Sequence, residues 1–311
     1  MEKGVVAGCF ADMAALVASG SIKIIELHAV PRSMSTALGR ALNESGAISV
    51  FVNEPFNLHN GDVNIAAGHV LLAVEPALSS AREPVVVLTK NIAGFLTAPV
   101  FRTWLDVCSS VVWCVRDPRK QISSLVTRTV NGLLFDVGSD RLKQSDLLPS
   151  HVAAATEWLR NSQVSKDFSL AGWRTIGAHF GDNVGGCPSF VADGSLFSRM
   201  PDRLLPYLCS ELGIEFRNRM IDGWDEPFVN VHRLYDPEYD DAADAWIKHA
   251  ATSRGVEPTE SPPLAESVMP EALREYVFGV AVPTYEMFMR AFYSQDHLAQ
   301  YGLEPGRYPM R

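Results

Sequence analysis

Leu27-His28-Ala29-Val30-Pro31-Arg32-Ser33-Met34-Ser35-Thr36-Ala37-Leu38-Gly39-Arg40 is the stretch around which the rest of the chain is organised. The apolar residues that lead into it (Ile22, Ile24, Ile25, Leu27) read as a strand, and Leu38, Ala41 and Leu42 beyond it have helical spacing. A short turn of proline, arginine and hydroxyl residues lies between them. The pattern is strand, anion-binding turn, helix. Backbone N–H groups at a helix start have no intrahelical partner and sit at the positive end of the helix dipole, so a phosphate or sulfate docks there readily. The G-x-x-x-x-G-K-[ST] pattern of a nucleoside triphosphate loop is absent, and Arg32 stands where its lysine would be.

The chain has 311 residues, 47% apolar and 20% charged, enough to bury a full core. Its formal charge of −9 argues against general nucleic-acid or anionic-membrane binding. An anionic ligand must therefore be held by a local cluster of basic side chains, which makes each arginine or lysine at a strand end informative. Cys9, Cys108, Cys114, Cys187 and Cys209 show no C-x-x-C spacing and mostly lie in apolar runs, as reduced thiols of a cytoplasmic protein would. Val6-Ala7-Gly8-Cys9 looks like a lipoprotein cleavage box, but the apolar run before it is too short for a signal peptide. No later run reaches the roughly 18 apolar residues of a membrane span.

Taken in order, residues 5–19 have the spacing of a short leading helix. Residues 47–53 read as a second strand, with Glu54-Pro55-Phe56 just beyond it. Pro84–Thr89 and Ser110–Val115 are continuous apolar runs rich in β-branched residues and suited to buried parallel strands; the first ends in Lys90-Asn91 and the second in Arg116-Asp117-Pro118-Arg119. Ligands of open α/β sheets bind outside the carboxyl ends of the strands, so Arg32, Glu54, Lys90 and Arg116 converge on one crevice. Asp117 and Pro118 make a good helix start, which places Ser124 in an early turn near Arg116. Ser189–Asp193 reads as a last short strand, and Pro201–Ile214 as a helix with Gly213 at its stop. Residues 131–185 and 221–269, including a short helix near Ala242–Thr252, supply substrate-side helices and loops. Glu271–Tyr293 is helical, interrupted at Gly279 and Pro283.

These residues resemble the sulfotransferases that use 3′-phosphoadenosine 5′-phosphosulfate (PAPS), in their bacterial small-molecule branch. Pro31-Arg32-Ser33-Met34-Ser35-Thr36 is similar to the family's 5′-phosphosulfate loop, P-[RK]-S-G-[ST]-T. Val115-Arg116-Asp117-Pro118-Arg119 followed by Ser124 resembles its 3′-phosphate motif, and Leu212-Gly213-Ile214 its late segment. The resemblance implies one α/β domain over 1–311, of three-layer P-loop type, with a central, mostly parallel sheet flanked by helices. It implies PAPS as donor, PAP as product and no metal. Pro31 to Thr36 would hold the 5′ end, and Arg116 with Ser124 the 3′-phosphate. Glu54 would be the general base, with Lys90 and Arg32 stabilising the transferring group. The acceptor would be a small-molecule alcohol, phenol or amine, without nucleic acid or membrane as partner, and a homodimer stays open.

Three departures mark the resemblance. Met34 replaces the loop glycine, which is accommodated if that position is not left-handed. The family's Arg-Lys-Gly clamp on the 3′-phosphate is absent, and Ser253-Arg254-Gly255 is the stand-in, with Arg254 as the ligand. No histidine follows the third strand, so His28, His59 and His232 are the histidines that compete with Glu54 for the base. Trp224 and Phe228 lie in a loop that would line the acceptor pocket, and Asp225, Glu226 and the acids at 236–241 would favour a cationic acceptor or form a solvated face. The competing readings are a phosphotransferase on the same scaffold and a nucleotide-binding protein without catalysis.

Overall fold

A computed structural model describes residues 9–57, 61–79, 84–134, 142–161, 170, 172–183, 186–226, 228–230, 252–258, 262–293 and 296–303. His59, His232, Trp246, the acidic residues 236–241 and all but Thr252 of the helix expected at Ala242–Thr252 lie outside them. Among the described residues six strands form one sheet: β1 (Ile22–Ala29), β2 (Val50–Asn53), β3 (Val85–Ile92), β4 (Cys108–Val115), β5 (Ser189–Asp193) and β6 (Val229–Asn230). Their order is β5-β4-β1-β3-β2-β6, and every pairing is parallel. The expected strand positions are met, with two differences. β6 is a strand that two residues do not announce by periodicity. β3 runs through Lys90 and Asn91 to Ile92, which pairs with Ala29 of β1, instead of ending before them. Polar residues are tolerated inside this buried strand because both side chains find charged or amide partners, described below.

The sheet's interior strands read as apolar runs because helices cover them. Ile24, Ile25, Leu27, Val87, Leu88, Val111, Val112 and Trp113 are fully buried. Helix α1 (Cys9–Ala18) packs on β1 and on α3 (Val63–Leu78); α2 (Ser35–Asn43) packs on β1, β2 and β3; α4 (Ala98–Leu105) packs on β4. Helix α5 (Pro118–Thr129) begins as its sequence predicts, with the Asp117 carboxylate accepting from the Arg119 N–H. Then follow α6 (Pro149–Asn161), α7 (Gly172–Asp182), α8 (Gly194–Arg199) and α9 (Pro201–Leu212), which stops at Gly213 in the left-handed region at φ 66°. The interrupted helix near the C-terminus is α10 (Glu271–Tyr276), a π-helical turn over Val277–Ala281 around Gly279, and α11 (Val282–Tyr293), with Pro283 in its first turn. Among the described residues no helix is long and apolar enough to cross a membrane.

The strand order fixes where the chemistry goes. β1 lies in the middle, with β4 on one side and β3 then β2 on the other. Chain order reverses at β1, and the crevice at such a switch point is where open α/β sheets bind ligands. The loop after β1 therefore sits between Arg116, delivered by β4, and the pair Lys90 and Glu54, delivered by β3 and β2.

Candidate active site

Three non-glycine residues among those described have positive φ: Arg32 at 63°, Met34 at 68° and Glu54 at 61°. All three stand at the carboxyl edge of the sheet. A left-handed backbone brings the side-chain Cβ against the following carbonyl, so such conformations persist only where surrounding contacts hold them. The condition under which Met34 would be accommodated, a position outside this region, is not met: it caps α2 with ψ 16° and gives its carbonyl to the Leu38 N–H at 2.9 Å. The left-handed turn reverses the chain sharply enough for α2 to start directly behind the loop.

The loop is fixed from several sides. The Val30 N–H donates to the Cys114 carbonyl at 3.2 Å, and the Pro31 carbonyl accepts from the Gln121 amide at 2.6 Å. Gly194, at the start of α8, lies so close that a Cβ there would sit 2.2 Å from the Ser33 carbonyl. Only glycine permits that approach. The Ser33 hydroxyl is buried and has no hydrogen-bond partner among the described residues. It adds a donor to the amide groups at the α2 start, in the place where an anion would bind.

The arginines gather on the β4 side. Arg116 is 4% exposed and donates through Nη1 to the Arg32 carbonyl at 3.4 Å. The Arg32 side chain turns toward α5, where its Nε donates to the Ser124 hydroxyl at 3.3 Å. Burial pushes the Arg32 guanidinium down to about 10, and the charges of Arg128 and Arg116 push it the same way. Burial also lowers Arg116, which Asp193 and Asp117 counter. Arg128 is a residue the sequence reading missed. It follows Ser124 by four positions on α5, hence on the same helical face, and that spacing is the signal that would have found it.

The Glu54–Lys90 pair stands on the β3–β2 side. Lys90 Nζ donates to Glu54 Oε1 in a salt bridge whose lysine is 2% exposed, and Asn57 Nδ2 donates to Glu54 Oε2 at 2.7 Å. The Glu54 N–H itself donates to the Lys90 carbonyl at 2.6 Å, extending the β2–β3 ladder by one bond into the turn.

The structure brings Pro31 to Thr36, Arg116 and Ser124 to one edge with Glu54 and Lys90, while the contacts of Arg254 run to the Trp224–Asp225 segment. Arg254 is exposed, donates to the Trp224 carbonyl at 3.2 Å and pairs with Asp225 at 2.8 Å. Nothing among the described residues joins it to Arg116 or Ser124. That cluster belongs to α2: Glu44 accepts the Asp225 and Glu226 N–H groups at 2.7 Å each, and the Arg40 guanidinium lies 5.3 Å over the Trp224 ring. Trp224 is fully buried and serves there as core, not as pocket wall. His28 is removed as a base. It is fully buried, packed against the tilted ring of Phe101 and edge-on against Trp113, and bonded through Nε2 to His179 Nδ1 at 2.9 Å. Burial lowers both imidazoles to about 3, so they are neutral core groups.

No family model matches the chain, and no curated protein matches it. Among solved structures, the chain is similar to a sulfotransferase domain from the curacin biosynthetic pathway, with 14% identity, TM-score 0.44, and 85% of this chain and 98% of that one covered. It is also similar to mouse sulfotransferase SULT7A1 complexed with PAP, with 12% identity, TM-score 0.44, and 93% of this chain and 92% of that one covered. Likenesses this distant do not assign a reaction. The chemistry must come from the residues at the sheet edge.

Proposed function

We propose that the protein transfers the sulfuryl group of PAPS to a hydroxyl or amine of a small-molecule acceptor. The observation that carries this reading is the contact between Arg32 Nε and Ser124 Oγ at 3.3 Å, which joins the anion loop after β1 to α5 inside a cluster of three arginines. A donor with phosphate at both its 5′ and 3′ positions suits two adjacent anion sites; ATP, which lacks a 3′-phosphate, suits only the first. The loop amides and Ser33 would hold the phosphosulfate end. Arg116, Ser124, Arg32 and Arg128 would hold the 3′-phosphate, where forked, permanently charged donors are favoured.

The reaction itself falls to the other side of β1. Glu54 takes the proton of the acceptor O–H or N–H as that atom bonds to sulfur. The bond from sulfur to the bridging oxygen breaks, and its electron pair stays on the 5′-phosphate of PAP. Lys90 is the cation that stabilises the oxygens of the transferring group. Its salt bridge with Glu54 supports a shared role, because sulfuryl oxygens entering the site offer Lys90 a second partner and free the carboxylate for the acceptor. Arg32, given a catalytic part by the resemblance, is reassigned here to donor binding.

Calorimetry with PAP and with ATP tests the reading, with Arg116→Ala as control. PAP should bind more tightly than ATP, and the variant should weaken PAP by about ten- to a hundredfold, the loss of a charge-assisted hydrogen bond. Preference for ATP, or indifference to the substitution, would refute the donor assignment.

A further inference from the structure

The left-handed turns at Arg32 and Glu54 share one feature. Each is held by a buried carboxamide side chain from a neighbouring element, and both ends of that carboxamide are engaged. Gln121 of α5 is 2% exposed; its Nε2 donates to the Pro31 carbonyl at 2.6 Å and its Oε1 accepts from the Trp173 indole N–H at 3.1 Å. Asn91 of β3 is fully buried; its Oδ1 accepts from the Phe56 N–H at 3.3 Å and its Nδ2 lies 3.1 Å from both Glu26 carboxylate oxygens. Neither amide can be reversed. An indole N–H and a backbone N–H only donate, while a carbonyl and a carboxylate accept, so each oxygen and nitrogen has one satisfactory orientation.

The groups behind the amides are themselves fixed. The Trp173 N–H donates to the Tyr276 hydroxyl at 3.1 Å, which ties α7 to α10 behind the loop. Glu26 also accepts from the Thr89 hydroxyl at 2.5 Å and the Trp104 indole at 3.2 Å. On the far side of the Glu54 turn, the buried His69 ring bonds through Nδ1 to the Pro55 carbonyl at 2.6 Å; since a carbonyl accepts, Nδ1 carries the proton. Fully satisfied buried networks of this kind rigidify what they touch.

Building on the sulfotransferase reading, we propose that Gln121 and Asn91 are separate positioning residues: Gln121 holds the donor loop through Pro31, and Asn91 holds the Glu54 turn through Phe56. Gln121 acts next to Arg32 and α2, so its loss disturbs donor affinity. Asn91 acts next to Glu54, so its loss disturbs the base and leaves the arginine cluster alone.

The test removes each amide while keeping its shape, as Gln121→Met and Asn91→Leu, with PAP affinity measured by calorimetry and amide exchange over 31–36 and 54–57 by mass spectrometry. Turnover is followed as PAPS conversion to PAP with 4-nitrophenol as probe acceptor. Gln121→Met should raise the PAP dissociation constant on the order of tenfold and speed exchange only over 31–36. Asn91→Leu should lower turnover about ten- to a hundredfold and speed exchange only over 54–57, with PAP affinity unchanged. Asn91→Asp keeps an acceptor for the Phe56 N–H but turns an acidic oxygen onto Glu26 where the amide donated, and should restore protection at 54–57 only in part. Gln121→Glu faces the Pro31 carbonyl with an acceptor and should not restore the loop; these two acid variants also replace the first pair should either fail to fold. If each variant moves both regions together, or neither, the separate positioning roles are wrong. Wild-type protein that fails to bind PAP refutes the donor assignment instead, and the exchange pattern then decides the holding roles by itself.

Discussion

Replacing Met34 by glycine and, separately, by alanine isolates the backbone strain at the anion loop. Met34 adopts φ 68° and ψ 16° at the N-cap of α2. The left-handed conformation costs an L-residue about 1–2 kcal/mol. Glycine escapes that clash but carries more freedom in the unfolded chain, worth roughly 0.5–1 kcal/mol against alanine. Both variants lose the same half-buried thioether side chain, which packs against the core, so that loss cancels between them. The glycine variant should therefore be more stable than the alanine variant by about 1 kcal/mol. Urea denaturation at neutral pH reads the difference directly, and thermal melting should show it as about 2 °C in a chain of this size. Alanine equal to or better than glycine would mean that Met34 is not left-handed in solution. The sharp entry into α2, and with it the aim of the loop amides, would then be wrong.

Two further perturbations probe the groups on either side of β1. Lys90→Met leaves the Glu54 carboxylate, 9% exposed, with Asn57 as its remaining side-chain donor, and should destabilise the fold by about 3–5 kcal/mol. Adding Glu54→Gln should recover most of that loss in urea denaturation; a double variant as unstable as the single one would show that the pair is not a closed buried ion pair. The His28–His179 pair predicts acid sensitivity. Both imidazoles fall from 6.5 to about 3 on folding because burial disfavours the charged ring, so the unfolded chain takes up two protons that the folded chain refuses. Their stabilisation is complete above pH 6.5 and is lost as pH falls toward 3, each contributing about 1.4 kcal/mol per pH unit in that window. Glu26, raised by burial from 4.5 to about 7, works in the opposite direction: its folded form keeps a proton between those values and offsets one of the two histidines there. Wild-type stability should consequently fall more steeply below pH 4.5 than above it, and a His28→Leu/His179→Leu variant, left with Glu26 alone, should lose the acid-side fall and gain stability as pH drops from 7 to 4.5 in denaturant titrations at stepped pH.

Five of the six strands, their parallel pairing and the edge that carries the polar residues were legible because buried parallel strands need uninterrupted apolar runs, and each run ended in a residue that such a core would reject. Lys90 and Asn91 show the limit of that rule. They read as the end of β3 because a lysine and an asparagine inside a sheet core are costly without partners, and their partners, Glu54 and Glu26, come from other strands. Arg254 shows the converse, since only the fold reveals that Asp225 stands beside it. Arg128 was within reach, because Ser124 and Arg128 share a face at four-residue spacing, but one arginine on an amphipathic helix carries no signal until a second anion-binding residue on its face is trusted.

Backbone conformation was the least legible of all. Periodicity reports which side chains are buried and says nothing about φ, and left-handed glycines announce themselves whereas left-handed arginine, methionine and glutamate do not. Here that omission falls on the carboxyl edge of the sheet, where Arg32, Met34 and Glu54 take the unfavourable region together. A chain that spends favourable buried hydrogen bonds from Gln121, Asn91 and His69 on holding such turns gains nothing in packing from them. What the turns do provide is direction: one sends Arg32 across to Ser124, and the other brings the Glu54 carboxylate back onto Lys90. The strain at this edge is therefore best understood as the means by which two loops from different strands are made to face one crevice.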